Sequence, residues 1–282
     1  MAEGKLKTYC IIGDPVSHSL SPAMHNAAFK HLNLNCMYIA FRVQPHELRE
    51  SIYSLRAIGI SGFNVTMPHK VAIVRYMDIL DVGAERAGAV NTIIMDDGKF
   101  HAYNTDIEGF ITPLNKRRVK FNGLKILILG SGGACRAIVS ALSTEGEISS
   151  LSIASRNKMQ SEQISGLCNK IGLEHKIIPY DIVQDVAKSS DLIINSTSIG
   201  MNNEPSIIHG KNIREDSIVY DIVYKPIETA LIKAAKEAGA QVIYGYEMLL
   251  EQACSSFKIW TKLSPPIDVM KRALLGGFGE PQ

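Results

Sequence analysis

The sequence is poor in the features that mark a specialised environment. Its five cysteines, Cys10, Cys36, Cys135, Cys168 and Cys254, are scattered, odd in number and contain no C-x-x-C pair. That excludes a disulfide framework and suits a reducing compartment. No cysteine–histidine cluster has zinc spacing, and His25 and His31 do not share a helical face, so no metal site is expected. There is no apolar run of about 18 residues, and the opening "MAEGKLKTYC" has no apolar signal core. A soluble, untargeted, cytoplasmic protein is expected. Charge of neither sign dominates: 30 Lys and Arg face 28 Asp and Glu, a net +2. The densest basic stretch, "NKRRVK" at 115–120, is too short to suggest nucleic acid or a membrane surface. Internal repeats and low-complexity segments are also missing.

What is present is ordinary globular material. Hydrophobic residues make up 46% and charged residues 21% of 282 positions, enough for about two domains with their own cores. Short β-branched runs alternate with amphipathic segments, which indicates α/β architecture. "KTYCIIGD", "CMYIAFRV" and "SGFNVTMPHK" read as strands. "SPAMHNAAFKHLNL" reads as a helix with Ser21 as N-cap and Pro22 at its first position. "PHELRESIYSLRAIG" reads as a helix stopped by Gly59. "AVNTIIMDDGKFHAYNTD" reads as a hairpin turning at Asp97-Gly98. The texture changes after Asp106. A linking helix, "IEGFITPLNKRR", leads to the strand, glycine turn and helix of "LKILILGSGGACRAIVSALSTEG". Further strands follow in "LSIASR", "DLIINSTSIGM", "SIVYDIVY" and "AQVIY", with a helix in "KPIETALIKAAKEAG" and a helix-rich tail.

Gly130-Ser131-Gly132-Gly133-Ala134 follows an apolar strand and opens a helix, as a dinucleotide fingerprint does. Glycines allow the tight turn and let backbone N–H groups approach a pyrophosphate at the positive end of the helix. Gly133 is shifted from the usual third position, and Ala137 supplies a small packing residue. The next strand ends in Ser155-Arg156-Asn157-Lys158. NAD sites place a carboxylate there for the ribose hydroxyls. This chain has none, and a guanidinium suits a 2′-phosphate, so NADP is the expected cofactor.

The stretch "SGFNVTMPHK" poses a second problem. Phe63, Val65 and Met67 alternate with polar residues, and Pro68 stops the sheet pairing. Lys70 is then either a solvated lysine in the first turn of a helix "KVAIVRYMDIL", or a residue lining a ligand site at a strand end.

"GDPVSHSLSPAMHNAAF", "GFNVTMPHK", "AVNT", "YNTDIEGF", "GSGGACRA", "NSTSIGM" and "GYEMLLEQA" resemble, in order and spacing, the shikimate dehydrogenases, and the resemblance covers nearly the whole chain. It implies NADPH-dependent reduction of 3-dehydroshikimate to shikimate in aromatic amino-acid biosynthesis. It also implies two α/β domains with a cleft between them. These are a substrate domain at 1–106, joined by the tail at 242–282, and a Rossmann-type NADP domain at 107–241. Carried over residue by residue, it gives Lys70 and Asp106 as the catalytic pair. Ser19 and Ser21 would hold the substrate carboxylate, and Thr66, Asn91, Tyr224 and Gln252 would read the substrate's hydroxyls and carboxylate. Gly130, Ser131, Gly132, Gly133, Ala134, Ser155, Arg156 and Asn157 would bind the NADP phosphates and ribose. Asn195, Ser196, Thr197 and Ile222 would flank the adenosine, and Gly245 would lie under the nicotinamide. The partner is a small-molecule substrate, and the chain is expected as a monomer or homodimer. Three positions depart from the family pattern: Gln160 where a second basic residue is common, Cys135 for Ser or Ala, and Ile222 for Met. A quinate/shikimate dehydrogenase using NAD(P), a metabolite-binding regulator and a folate-type reductase are the competing readings. The missing carboxylate near 156–157, the intact Lys70 and Asp106, and the "SHSLSP" and "NVTMPHK" motifs count against them in turn.

Overall fold

The computed structural model describes residues 5–278. They divide into two compact units. One comprises the described residues up to Gly109 and those from Leu250 onward; the other is Phe110–Leu249.

In the first unit, β1 (Lys7–Gly13), α1 (Ser21–His31), β2 (Cys36–Arg42), α2 (Leu48–Ala57) and β3 (Gly62–Val65) follow in order. β4 (Ile79–Leu80), α3 (Val82–Ala87), β5 (Thr92–Asp96), β6 (Lys99–Tyr103) and the start of α4 (Asp106–Lys116) complete its N-terminal part. Among the described residues these strands form a six-stranded sheet ordered β2-β1-β3-β5-β6-β4. β1 runs parallel to β2 and β3, while β5 is antiparallel to both its neighbours. The β5–β6 hairpin turns through Asp97 and Gly98, both with positive φ, as an Asp-Gly turn requires.

Local pattern misleads at three places here. Ser21 is the first helical residue rather than the cap: the N-cap of α1 is Leu20, and no side chain caps it. β3 ends at Val65, before Met67, and all four of its residues are buried, so the alternation does not mark a half-exposed strand. The helix expected from Lys70 to about Leu80 is a 3-10 turn, Ala72–Tyr76, followed by β4. Non-local pairing overrides the helical pattern. Asp78 N donates to Phe100 O at 3.1 Å, the Asp78 carboxylate accepts from Phe100 N at 2.7 Å, and Ile79–Leu80 pair with His101–Ala102.

In the second unit, β7 (Lys125–Leu129), α5 (Gly133–Leu142), β8 (Ser150–Ala154), α6 (Lys158–Lys170), β9 (Lys176–Ile178) and α7 (Val183–Ala187) come first. β10 (Leu192–Asn195), β11 (Ile218–Asp221), α8 (Ala230–Glu237), β12 (Gln241–Tyr244) and the start of α9 (Gly245–Thr261) follow. The sheet order is β12-β11-β10-β7-β8-β9, every pair parallel. This is the doubly wound order in which the strand sequence reverses beside β7, and ligands of such sheets bind at the carboxyl ends there. Its core is Leu127, Leu129, Ile193, Val219 and their neighbours. Strands covered on both faces read as continuous apolar runs, which is why "KILIL" and "LIIN" were visible in the sequence.

The later part of α9 and α10 (Ile267–Gly276) belong to the first unit. Trp260 Nε1 donates to Ile93 O at 2.8 Å, and a Cβ on Gly62 would strike the same indole. Trp260 stacks on Tyr9, and Phe257 meets Phe29. His25 lies flat on Tyr38 within this aromatic cluster, and burial lowers its pKa to about 3, so the ring is neutral. Among the described residues, no helix is long and apolar enough to cross a membrane. Nor could any group of three or more His, Cys, Asp or Glu hold a metal ion.

Candidate active site

In the first unit the site begins with an asparagine inside a buried strand. Asn64 sits among apolar residues of β3, where an unpaired amide would be costly. Its Oδ1 accepts from the Tyr38 hydroxyl at 2.6 Å. Its Nδ2 donates to Thr92 Oγ1 at 2.9 Å, Asn91 O at 3.0 Å and Ser256 Oγ at 3.1 Å. Burial holds the Tyr38 phenol well above its ordinary range, and a side-chain hydrogen bond with Ser21 opposes that rise. Ser21 is buried, and its N–H donates to Ser19 Oγ at 3.3 Å. Ser21 is thereby linked, through Tyr38, to the network around Asn64.

The same network reaches the predicted catalytic pair. Asn91 Oδ1 accepts from Thr105 N at 2.7 Å, which fixes the amide orientation and turns Nδ2 toward Asp106 Oδ1 at 2.9 Å. Lys70 Nζ donates to the other carboxylate oxygen, Oδ2, at 2.6 Å. The Lys70 side chain is 20% exposed and that of Asp106 6%, so the pair is shielded yet the amine keeps an open side. Thr92, Thr105 and Ser256 hydroxyls bond one another at 2.8–3.2 Å and fill the space behind Asn91.

The backbone around Lys70 is equally constrained. His69 N donates to Thr66 O at 3.0 Å, and Val90 N donates to Lys70 O at 2.8 Å. The buried His69 ring meets Val43 O through Nε2 at 2.7 Å; since a carbonyl only accepts, Nε2 carries the proton. Lys70 therefore follows a pinned turn, not a helix start. Thr66 lies at the exit of β3, where its methyl occupies the space a Cβ on Gly13 would need. Gln252 is buried on α9, one turn before Ser256, whose hydroxyl donates to the Gln252 carbonyl at 3.0 Å. Tyr224 lies in the second unit, and burial raises its pKa.

In the second unit the glycine turn leaves β7 at Gly130, whose φ is +99°. A Cβ there would meet Thr197 Cγ2 at 2.8 Å and Ser196 Oγ at 3.0 Å, so both conformation and space demand glycine. Gly132 caps α5 with no side-chain oxygen on the first-turn N–H groups, and no acidic residue stands in that turn. A Cβ on Gly132 would face open space. Free N–H groups, a helix N-terminus and room beside them fit a dinucleotide pyrophosphate. Gly133 and Ala134 form the first helical turn. Ser131 Oγ and Ser155 Oγ bond at 2.6 Å, and Asn157 caps α6 by accepting from Gln160 N at 3.0 Å. Arg156, between them, is exposed at the end of β8.

The loop after β10 is organised by a carboxylate that the sequence reading passed over. Asp221, fully buried at the end of β11, accepts from Asn195 Nδ2 at 2.9 Å, Val223 N at 3.0 Å and Thr229 Oγ1 at 2.6 Å. Asn195 Oδ1 in turn accepts from Thr197 N at 3.1 Å and Thr197 Oγ1 at 2.7 Å. Thr197 is the residue packed against Gly130. Burial raises the Asp221 pKa to about 6 against the hydrogen bonds that favour its anion. Ser196 Oγ donates to Leu129 O at 2.7 Å, and Ile222 N to Asn195 O at 3.1 Å. Gly245 is crowded by the Ile222 and Val223 carbonyls, which leave no room for a Cβ. The signals for Asn64 and Asp221 were present, each a polar residue inside an apolar strand. Ser256 had only its one-turn spacing from Gln252.

The chain resembles known proteins along its whole length. Residues 11–93 match the shikimate dehydrogenase substrate binding domain, and residues 245–275 match the shikimate 5'-dehydrogenase C-terminal domain. The chain is 46% identical to the shikimate dehydrogenase (NADP(+)) of Nitrosopumilus maritimus over 96% of its own length and 99% of the relative's. A crystal structure of a shikimate dehydrogenase in complex with NADP+ superposes with a TM-score of 0.90 at 40% identity, covering 99% of this chain and 98% of that one. The Thermus thermophilus shikimate 5-dehydrogenase in complex with NADP(H) and shikimate gives 0.83 at 30% identity, over 96% and 99%. With likeness at this level from end to end, in sequence and in both units of the fold, the chain belongs to the shikimate dehydrogenase family.

Proposed function

We propose that this protein is an NADP-dependent shikimate dehydrogenase that reversibly reduces 3-dehydroshikimate to shikimate. The observation that carries the reading is full-length similarity at 46% identity to a shikimate dehydrogenase (NADP(+)), in a chain that keeps the Lys70–Asp106 pair. Reducing a ketone needs a hydride on carbon and a proton on oxygen. Bound nicotinamide supplies the hydride. Lys70 and Asp106 handle the proton: the pair gives it to the oxygen during reduction and takes it from the hydroxyl during oxidation. Lys70 Nζ donates to Asp106 Oδ2 at 2.6 Å, so the two act together. The ammonium also stabilises charge developing on the oxygen. Asn91 holds the carboxylate, so the carboxylate does not turn away when the amine engages substrate.

Ser19 and Ser21 are assigned to the substrate carboxylate, and Thr66, Asn91 and Gln252 to its polar groups. Sites built to bond hydroxyls reject analogues lacking them. The glycine turn receives the pyrophosphate, and Arg156 the 2′-phosphate. The reading includes a cytoplasmic monomer or homodimer with no nucleic-acid partner. Mixing purified protein with shikimate or quinate and NADP⁺ or NAD⁺, and following absorbance of reduced nicotinamide, tests it. Shikimate with NADP⁺ should give the highest kcat/KM; quinate with NAD⁺ doing better would overturn the reading.

A further inference from the structure

The second unit contains a contact that the glycine fingerprint does not explain. β8 and β9 run parallel, with Ala154 opposite Ile178. One residue on, Ser155 N still donates to Ile178 O at 3.3 Å. The next step delivers Arg156 and Tyr180 side by side at the carboxyl ends of their strands. Arg156 Cζ lies 5.3 Å from the centroid of the Tyr180 ring, within the range of a cation–π contact.

The two partners differ in how they are held. Tyr180 opens a short 3-10 turn, Tyr180–Ile182, and packs its half-buried ring on the core around Ile178 and Val183. Burial raises its pKa, and Arg156 lowers it. Arg156 is exposed, and among the described residues no carboxylate pairs with it. The adjacent acid, Asp181, is exposed and unpaired with it. The guanidinium therefore spends a face on the ring and keeps its N–H edge for an incoming anion. A long surface side chain loses rotamer freedom when it binds, and a ring that already holds it reduces that loss.

We propose that Tyr180 is a specificity-determining positioning residue, whose ring holds Arg156 in place for the cofactor's 2′-phosphate. Four residues beyond Arg156, in the first turn of α6, stands Gln160 and not a second cation. The ring supplies by orientation part of what a second cation would supply by attraction. The inference rests on the reading of Arg156 as the 2′-phosphate ligand.

Titrations of the full chain with NADPH, NADH, 2′-AMP and 5′-AMP test it, using wild type, Tyr180→Phe, Tyr180→Leu, Tyr180→Met and Arg156→Ala. Tyr180→Phe keeps the ring and should bind all four as wild type does. Tyr180→Leu and Tyr180→Met should weaken NADPH and 2′-AMP by about two- to fivefold, the worth of an exposed cation–π contact. NADH and 5′-AMP should be unaffected. Arg156→Ala should weaken NADPH by about tenfold, and adding Tyr180→Leu to it should cost nothing more. If the Tyr180 variants weaken NADPH and NADH equally, or neither, the ring only packs and the proposal fails while Arg156 stands. If Arg156→Ala leaves the NADPH/NADH ratio unchanged, the assignment of Arg156 itself fails and takes the proposal with it. Met is unbranched and adapts to irregular gaps, so a folding defect confined to the Leu variant does not decide the outcome.

Discussion

Among the described residues each unit buries one aspartate, Asp106 in the first and Asp221 in the second, and the two are satisfied in opposite ways. Asp106 faces a cation: Lys70 takes one oxygen at 2.6 Å and the Asn91 amide the other at 2.9 Å. Asp221 faces only neutral donors, from Asn195, Val223 and Thr229. Among the described residues no ion pair reaches it. Between them the ammonium and the amide satisfy both oxygens of Asp106. Three neutral donors stabilise an anion less well against desolvation, so the Asp221 carboxyl is pushed up to about 6. The first arrangement suits acid–base chemistry. The second suits a brace, here for the loop that carries Asn195 and Thr197 against the glycine turn.

The sharpest way to break this contrast is to remove the cation. Lys70→Ala should lower kcat by about 10²–10⁴-fold, the range for a general acid–base group, with a much smaller change in shikimate KM. Asp106→Asn should also cost kcat, and the double variant should lose less than the product of the two losses, because paired groups are not additive. Near-full turnover in Lys70→Ala would leave the Lys70–Asp106 contact as a purely structural ion pair.

The brace should show itself in stability rather than turnover. The folded pKa of Asp221 lies above the ordinary 3.8, at about 6. The folded state therefore binds the proton more tightly than the unfolded chain does. Its contribution is fully present below about pH 4 and is lost as pH rises through about 6, by at most about 3 kcal/mol for two units. The stability difference between wild type and Asp221→Asn in denaturant unfolding should change by up to this amount between pH 4 and 7. Parallel curves would mean that Asp221 does not titrate in that window.

A smaller effect is expected at the turn that the brace supports. Gly130→Ala forces a side chain into φ +99° and against Thr197, which should weaken NADPH and NADH alike by about tenfold. A loss confined to one cofactor would contradict a backbone origin. Smallest are the serines. Ser19→Ala and Ser21→Ala should each raise shikimate KM about three- to tenfold, one hydrogen bond's worth, with kcat kept. Unchanged KM in both would remove the carboxylate assignment.

Much of the second unit was legible because its signals are local. Buried parallel strands are apolar throughout, a fingerprint turn needs glycine, and a nucleotide ribose needs either a carboxylate or a cation. The first unit was less legible. Its polar residues take their meaning from partners far along the chain: Asn64 from Ser256, Lys70 from Asp106, Asp78 from Phe100. The expected helix after Lys70 failed for that reason, since pairing with β6 outweighed a helical pattern that had no cap.

The sequence by itself determined the α/β alternation, the glycine turn after β7, the cation in place of a carboxylate after β8, and the motifs of the family. These depend on backbone preference and residue chemistry within a few positions. Only the tertiary structure decided that Lys70 meets Asp106 across 36 positions, that Asn91 turns its amide toward that carboxylate, that Asp221 is buried without a cation, and that Arg156 rests on Tyr180. Hydrogen-bond partners, desolvation and protonation are set by which distant strands lie side by side, and that register is a property of the folded sheet.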